Sequence, residues 1–157
     1  MLANQSAELR MTTESFLEVK KRHQRRLDSH GLDARIGVYQ GCPFMKLDKE
    51  SWHNRGEVDT PTEIFFSIWR DLDGRLNYNI HAFKLRHFSD YNIQSREFAA
   101  AFRAKFTTDG WSNVSIKYGP LTLMQGWIDN QSEIDDLITN FISVHSIIDD
   151  LLAARKK

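Results

Sequence analysis

The sequence predicts an α+β domain: an antiparallel sheet built from two hairpins and packed with N-terminal, middle and C-terminal helices, in the order α-β(3-4)-α-β(2)-α. Three observations carry that prediction. Residues 62–85 read as a long hairpin, in which two aromatic and β-branched runs flank Leu72-Asp73-Gly74. A three-residue loop ending in glycine is a favoured hairpin connection, with the glycine in the left-handed conformation. Phe98, Phe102 and Phe106 recur every fourth residue, which sets three rings on one helical face. Finally, Asn130 and Glu133 have capping-box spacing, and Ile134, Leu137, Ile138, Phe141, Ile148, Leu151 and Leu152 follow on one stripe.

In chain order, residues 1–11 carry little pattern and are expected to be disordered. Thr12 or Thr13, with the Glu and Phe16-Leu17 that follow, starts a capped helix with a thin apolar stripe, ending near Gly31. Residues 35–39 and 42–47 form two short strands joined at Gln40-Gly41, and residues 48–62 form a long polar loop closed by Pro61. In the long hairpin, a pairing of Asp71 with Arg75 sets Ile68 against Tyr78, Phe66 against Ile80 and Ile64 against Ala82, giving one wholly apolar face. A two-residue Asp73-Gly74 loop would mix polar and apolar residues on that face, so the three-residue loop is preferred. Gln94-Ser95 caps the phenylalanine helix. Val114, Ile116 and Tyr118 alternate with polar residues up to a Gly119-Pro120 turn, and residues 121–128 return as the second hairpin. The final helix is expected to lie across the sheet.

At 157 residues the chain fits one domain, 1–157, large enough to bury about 70% of its unfolded surface. Its 21 Lys and Arg balance 21 Asp and Glu, so no global field draws it to nucleic acid or to a membrane. Cys42 is its one cysteine, which excludes an internal disulfide framework. No stretch has signal-peptide or membrane-spanning character. A cytoplasmic protein is expected.

This order of elements resembles the secretion-chaperone-like architecture of type III secretion chaperones and of the small YjbR-like and YdhG-like bacterial proteins. The resemblance rests on the hairpin at 63–86, the helix at 95–107, the hairpin at 113–128 and the closing helix at 131–154. It implies a sheet with one helix-covered face and one face free for a partner. Fold alone does not fix function.

The second face of the long hairpin holds Phe65, Ser67, Trp69, Asn77, Asn79, His81 and Phe83, too polar for a dry core and too aromatic for an ordinary solvated surface. Phe65, Trp69, Asn77, Asn79, His81 and Phe83 are the candidate partner or ligand residues; the plainer reading is that Tyr118, Trp127 or the first helix covers them. The expected function is a small protein-interaction or chaperone-like domain, in keeping with a homodimer or another protein partner. An alternative is nucleic-acid binding through Lys84, Arg86, Arg96, Arg103 and Lys105, with Lys117, set among Phe88, Tyr91 and Trp111, because basic residues interleaved with aromatics are the footprint of such surfaces. A second alternative is an enzyme with a dispersed site on His53, Glu57, Asp59 and His81. The loop also holds Arg55 and Glu63, but its spacing matches no metal signature, and solvated loops gather charge in any case. No catalytic residue, metal or cofactor is assigned. Cys42 reads as a small hydrophobe and His145, on the last helix's stripe, as a core or interface histidine. Residues 20–26 hold five cations and residues 129–150 six carboxylates without Lys or Arg, so the first and last helices should attract each other.

Overall fold

A computed structural model describes residues 12–54, 62–117 and 119–157. Thr12 caps α1 (Thr13–Ser29) by accepting a hydrogen bond from the Ser15 amide, as Ser and Thr do at helix starts. Two strands, β1 (Asp33–Tyr39) and β2 (Cys42–Asp48), follow and meet at Gln40 and Gly41, both at positive φ. That is the expected tight hairpin.

The long hairpin is β3 (Glu63–Arg70) and β4 (Leu76–Phe83). Its register sets Ile68 against Tyr78, Phe66 against Ile80 and Ile64 against Ala82, as the three-residue loop requires. Gly74 sits at φ 90°. The Asp71 carboxylate holds the loop by accepting from the Asp73 and Arg75 amides, each at 3.0 Å.

Next come α2 (Ser95–Lys105), β5 (Thr122–Ile128) and α3 (Ile134–Ala153). The Asn130/Glu133 capping box is formed, on a short 3-10 turn leading into α3. The five strands make one antiparallel sheet in the order β1-β2-β3-β4-β5. The architecture is α+β, with helices at the N-terminal, middle and C-terminal positions. Among the described residues, no helix is long and apolar enough to cross a membrane.

The second hairpin forms only in part. Ser115 makes a single bridge to Gln125, with hydrogen bonds of 2.8 and 2.9 Å, and Tyr118 lies outside the described residues. Two contacts and a turn keep residues 113–117 from running as a strand. Trp111 is drawn into the core beside Tyr78, the Tyr78 hydroxyl donates to the Ser112 carbonyl, and Asn113 turns at φ 51°. At the start of β5 and just before it, Arg103 donates to the carbonyls of Gly119, Thr122 and Leu123.

All three described helices lie on the sheet face carrying Ile64, Phe66 and Ile68. Phe141 of α3 stacks on Phe66 with ring centres 4.5 Å apart, and Phe16, Val19 and Leu27 of α1 and Phe98 and Phe102 of α2 join the same buried cluster. The polar loop after β2 is anchored, contrary to a purely solvated reading. Trp52 is wholly buried, and its indole N–H donates to Asp149, 2.8 Å away. Buried Asn54 accepts from the Thr62 amide and donates to the His87 carbonyl. The predictions for residues 1–11, Arg55, Glu57, Asp59 and Pro61 fall outside the described residues.

Candidate functional site

Strand alternation sends the odd-numbered residues of β3 and β4 away from the helices, and pairing sets them in rows. Phe44 of β2 faces Trp69, which faces Asn77, which faces Trp127 of β5. Lys46, Ser67, Asn79 and Gln125 form the next row, and Phe65 pairs with His81 in the third. A β-bulge completes that row. The β4–β5 register steps from Ile80 opposite Met124 to His81 opposite Thr122, leaving Leu123 as the extra residue. Leu123 and Met124 are therefore both buried, and Thr122 comes to the outer face with its hydroxyl 3.4 Å from His81 Nδ1.

The outer face is ring-lined, and no described helix packs on it. Phe44, Phe65, Trp69 and Phe83 are half-buried, and Trp127 is 37% exposed. None of them belongs to the core cluster. Trp127 is thus a member of the face and does not cover it, and α1 packs on the opposite side. A cleft of about 460 Å³ opens along the β1–β2 end of this face, between Tyr39, Phe44, Lys46, Phe65, Trp69 and His81. Val38 and Tyr39 on its rim are 59% and 69% exposed.

Cations stand over the rings. Lys46 Nζ lies 4.3 Å from the Phe65 ring centre and 5.1 Å from that of Phe44. The Arg75 guanidinium lies over Trp127, and Lys84 Nζ over Phe83, both at 5.1 Å. Such contacts hold a charge on a ring face without burying it. The His81 ring packs between Phe65 and Phe83, with centres 5.5 and 6.2 Å away. Burial there, followed by the charge of Lys46, holds its pKa below the ordinary histidine value, while Glu63 pulls weakly the other way. A neutral imidazole therefore faces the cleft at pH 7.

Of the predicted face residues, Phe65, Trp69, Asn79 and His81 line the cleft, and Phe83 lies beside it. Asn77 is committed to the hairpin loop, donating to the Asp71 carboxylate and the Arg75 carbonyl. Asn79 accepts from the Ser67 hydroxyl at 2.7 Å. Sequence reasoning missed Tyr39, Phe44, Lys46, Thr122 and Trp127. The alternation of Cys42, Phe44 and Lys46 was a usable signal once β2 is paired with β3; the bulge that turns Thr122 outward left none.

The members of the predicted basic group have different surroundings. Arg103 is committed to three carbonyls, while Arg86, Arg96 and Lys105 are exposed. Phe88 and Trp111, which would have to stack on bases, are buried in the core. Lys84 stands by the aromatic face. His53 and His81 line separate cavities, His53 sharing one of about 520 Å³ with His30, Lys49, Asp90 and Tyr91. Among the described residues, no group of three or more His, Cys, Asp and Glu gathers closely enough to hold a metal ion. Cys42 lines the cleft, and His145 is buried with Nδ1 2.5 Å from the Ile142 carbonyl. No family model, curated protein or solved structure matches this chain, so the chemistry of the site alone carries a functional reading.

Proposed function

We propose that this protein is an interaction domain that binds another protein on the outer face of its sheet. One observation carries the reading: Phe44, Phe65, Trp69, Phe83 and Trp127 share a face across four strands, all at least partly exposed, with no described element packed over them. Half-exposed rings interleaved with polar groups on an uncovered face are the kind of surface that marks partner sites in soluble proteins; Trp and Phe are enriched at interfaces, and Trp is among their usual energetic centres. The resemblance to the secretion-chaperone-like group supports it only through the expectation of a free sheet face. Four strands precede the middle helix here, and one regular strand follows it, against three and two in that group.

A nucleic-acid surface on the basic and aromatic region 84–117 has less support, because Phe88 and Trp111 are buried and Arg103 is spent on backbone. The dispersed-enzyme reading has less again, because His53 and His81 do not share a cavity.

The test is gentle purification from the protein's own host followed by native mass spectrometry, for wild type and for Phe65→Ser/Trp69→Ser. The expected result is a defined stoichiometric complex with wild type and a bare, folded chain with the double variant. Retention of the same partner by the folded double variant would overturn the reading.

A further inference from the structure

The two edges of the sheet are finished differently. Along β5, at one edge, Ser115 exchanges backbone hydrogen bonds with Gln125, and the Arg103 guanidinium covers the Thr122 and Leu123 carbonyls. Along β1, at the other edge, no strand or backbone group pairs from outside among the described residues. We infer that β1 is the seam of a homodimer, in which β1 of a second copy pairs with it antiparallel about a twofold axis at Ile36 and joins the two sheets into one.

The β1–β2 turn fixes which backbone groups are offered. Gln40 and Gly41 are both at positive φ, so they form a two-residue loop whose flanking pair, Tyr39 and Cys42, is hydrogen-bonded. Alternation then points the amides and carbonyls of Asp33, Arg35, Gly37 and Tyr39 at β2 and turns those of Ala34, Ile36 and Val38 outward. Pro43 fits that phase. It stands opposite Val38, in a pair that exchanges no bonds, where its missing N–H leaves the ladder intact.

Open edges are usually guarded by a bulge, a proline or an inward-pointing charge. β1 has none of these: its seven residues pair with β2 without a register shift, and its helix-side residues are Ala34, Ile36 and Val38. Of its charged residues, Arg35 leans back across β2 to Asp48, 3.1 Å away, and Asp33 stands at the strand's first position.

The strand is also its own complement. With the axis at Ile36, Ala34 meets Val38 of the second copy and Ile36 meets Ile36, so the helix-side ladder is apolar throughout. On the outer side Arg35 meets Gly37 and Asp33 meets Tyr39. No like charges stand directly opposite, and the narrow pairs supply about six backbone hydrogen bonds. An axis at Arg35 would set two guanidinium groups against each other, and an axis at Gly37 would leave Asp33 and Ala34 facing a turn. Val38 and Tyr39, 59% and 69% exposed in the single chain, are both covered by the pairing. They also line the cleft, so β1 of the second copy extends its wall: the row of Trp69, Phe44 and Gly37 continues into Arg35 of the second copy. The seam stands whether or not a partner binds the outer face.

The experiment is sedimentation of the full chain from low to high micromolar concentration, with amide hydrogen exchange read by NMR on the same samples. Wild type is expected to reach a mass of twice 18.3 kDa, and the amides of Ala34, Ile36 and Val38 should gain protection as it does. Val38→Pro removes an outward N–H that β2 does not use; by symmetry it deletes two bonds and should weaken the dimer about tenfold or more. Val38→Lys, a side-chain change at an exposed position, should do the same and serves if the proline variant loses its circular dichroism spectrum. Leu121→Ser, at the opposite edge, and Phe65→Ser/Trp69→Ser, on the outer face, should remain dimers. A monomer at every concentration would overturn the proposal, as would a dimer in which the Ala34, Ile36 and Val38 amides exchange freely. So would a dimer that survives both Val38 variants, or one lost only in Phe65→Ser/Trp69→Ser, which would move the seam to the outer face.

Discussion

A Cβ built on Gly126 would sit 2.5 Å from the Tyr78 hydroxyl oxygen, and Tyr78 has nowhere to move. Its ring is wholly buried, and its hydroxyl is fixed 2.6 Å from the Ser112 carbonyl. Gly126→Ala is therefore expected to destabilise the protein by about 1 to 3 kcal/mol, the usual cost of overpacking a filled core, read from chemical denaturation. Gly74 is required for a different reason: at φ 90° a β-branched side chain meets its own backbone. Gly74→Val should cost at least about 1 kcal/mol, and unchanged stability would show that the loop does not need the left-handed turn. The two glycines differ in legibility. Gly74 announces itself by its place in a three-residue loop between apolar runs. Gly126 is one residue within an apolar strand, and the need for it arises only when β5 pairs with β4 and sets it opposite Tyr78.

At the scale of elements, α2 follows its sequence pattern closely. Phe102 is fully buried and stacks on Phe106 with ring centres 5.2 Å apart; Phe106 in turn meets Trp111 at 5.5 Å. Phe102→Ala should cost about 3 to 5 kcal/mol, and a loss below about 0.5 kcal/mol would be surface-like and refute the packing. The second hairpin was legible only on its return side. Val114 and Ile116 do turn partly toward the core, yet the alternation that suggested a strand competes with the pull of Trp111 on the chain before it. Packing decided the contest, because a buried indole between Phe66, Tyr78 and Phe106 outweighs two or three ladder hydrogen bonds. The segment after β2 shows the opposite error. Its polar composition hid Trp52, which no periodicity marks, and whose burial depends on Asp149 arriving from α3.

Across the whole molecule, the uneven charge along the chain becomes the docking of α1 on α3. Arg22 makes a bidentate contact with Asp135 at 3.2 Å, His23 Nε2 lies 2.6 Å from the same carboxylate, and Arg26 donates to Thr139. Partial burial alone would raise the Asp135 pKa. The hydrogen bonds from His23 and Arg22, with their charges, outweigh it and hold the group below its usual value. Nearby, desolvation keeps His145 neutral against a weaker opposing pull from the Ile142 carbonyl; Lys49, Asp149 and His30 face it from the surrounding elements. The signs fix the pH response. His145 and His81 have folded pKa values below the unfolded value of about 6.5, so the stability they confer is present above that pH. It is lost as pH falls through their lowered folded values. Asp135 adds a second loss, in more acid solution, as pH falls through its own depressed value. Urea midpoints should thus decline from pH 7 to pH 5, and His145→Phe should flatten that decline, leaving the part due to His81. An unchanged slope in the variant would remove His145 from the account.

The sequence by itself determined the α+β class, the three described helices with the caps at Thr12 and Asn130 but not the one expected at Gln94-Ser95, where no side chain caps α2, the register of the long hairpin and the aromatic outer face of β3 and β4. Each of these is set by local chemistry or by period: Thr12 and Asn130 as caps, Gly74 as the turn residue, apolar residues two or four apart. The tertiary structure alone decided which surface those residues make. The β2–β3 pairing brought Phe44 and Lys46 beside Phe65 and Trp69, the bulge at Leu123 turned Thr122 out toward His81, and the β4–β5 pairing added Trp127. Burial of Phe88 and Trp111 removed two of the three rings from the competing basic surface. The physical reason is the same in every case: contacts between residues far apart in the chain carry no local signal, and they are fixed only when the strands align and the core fills.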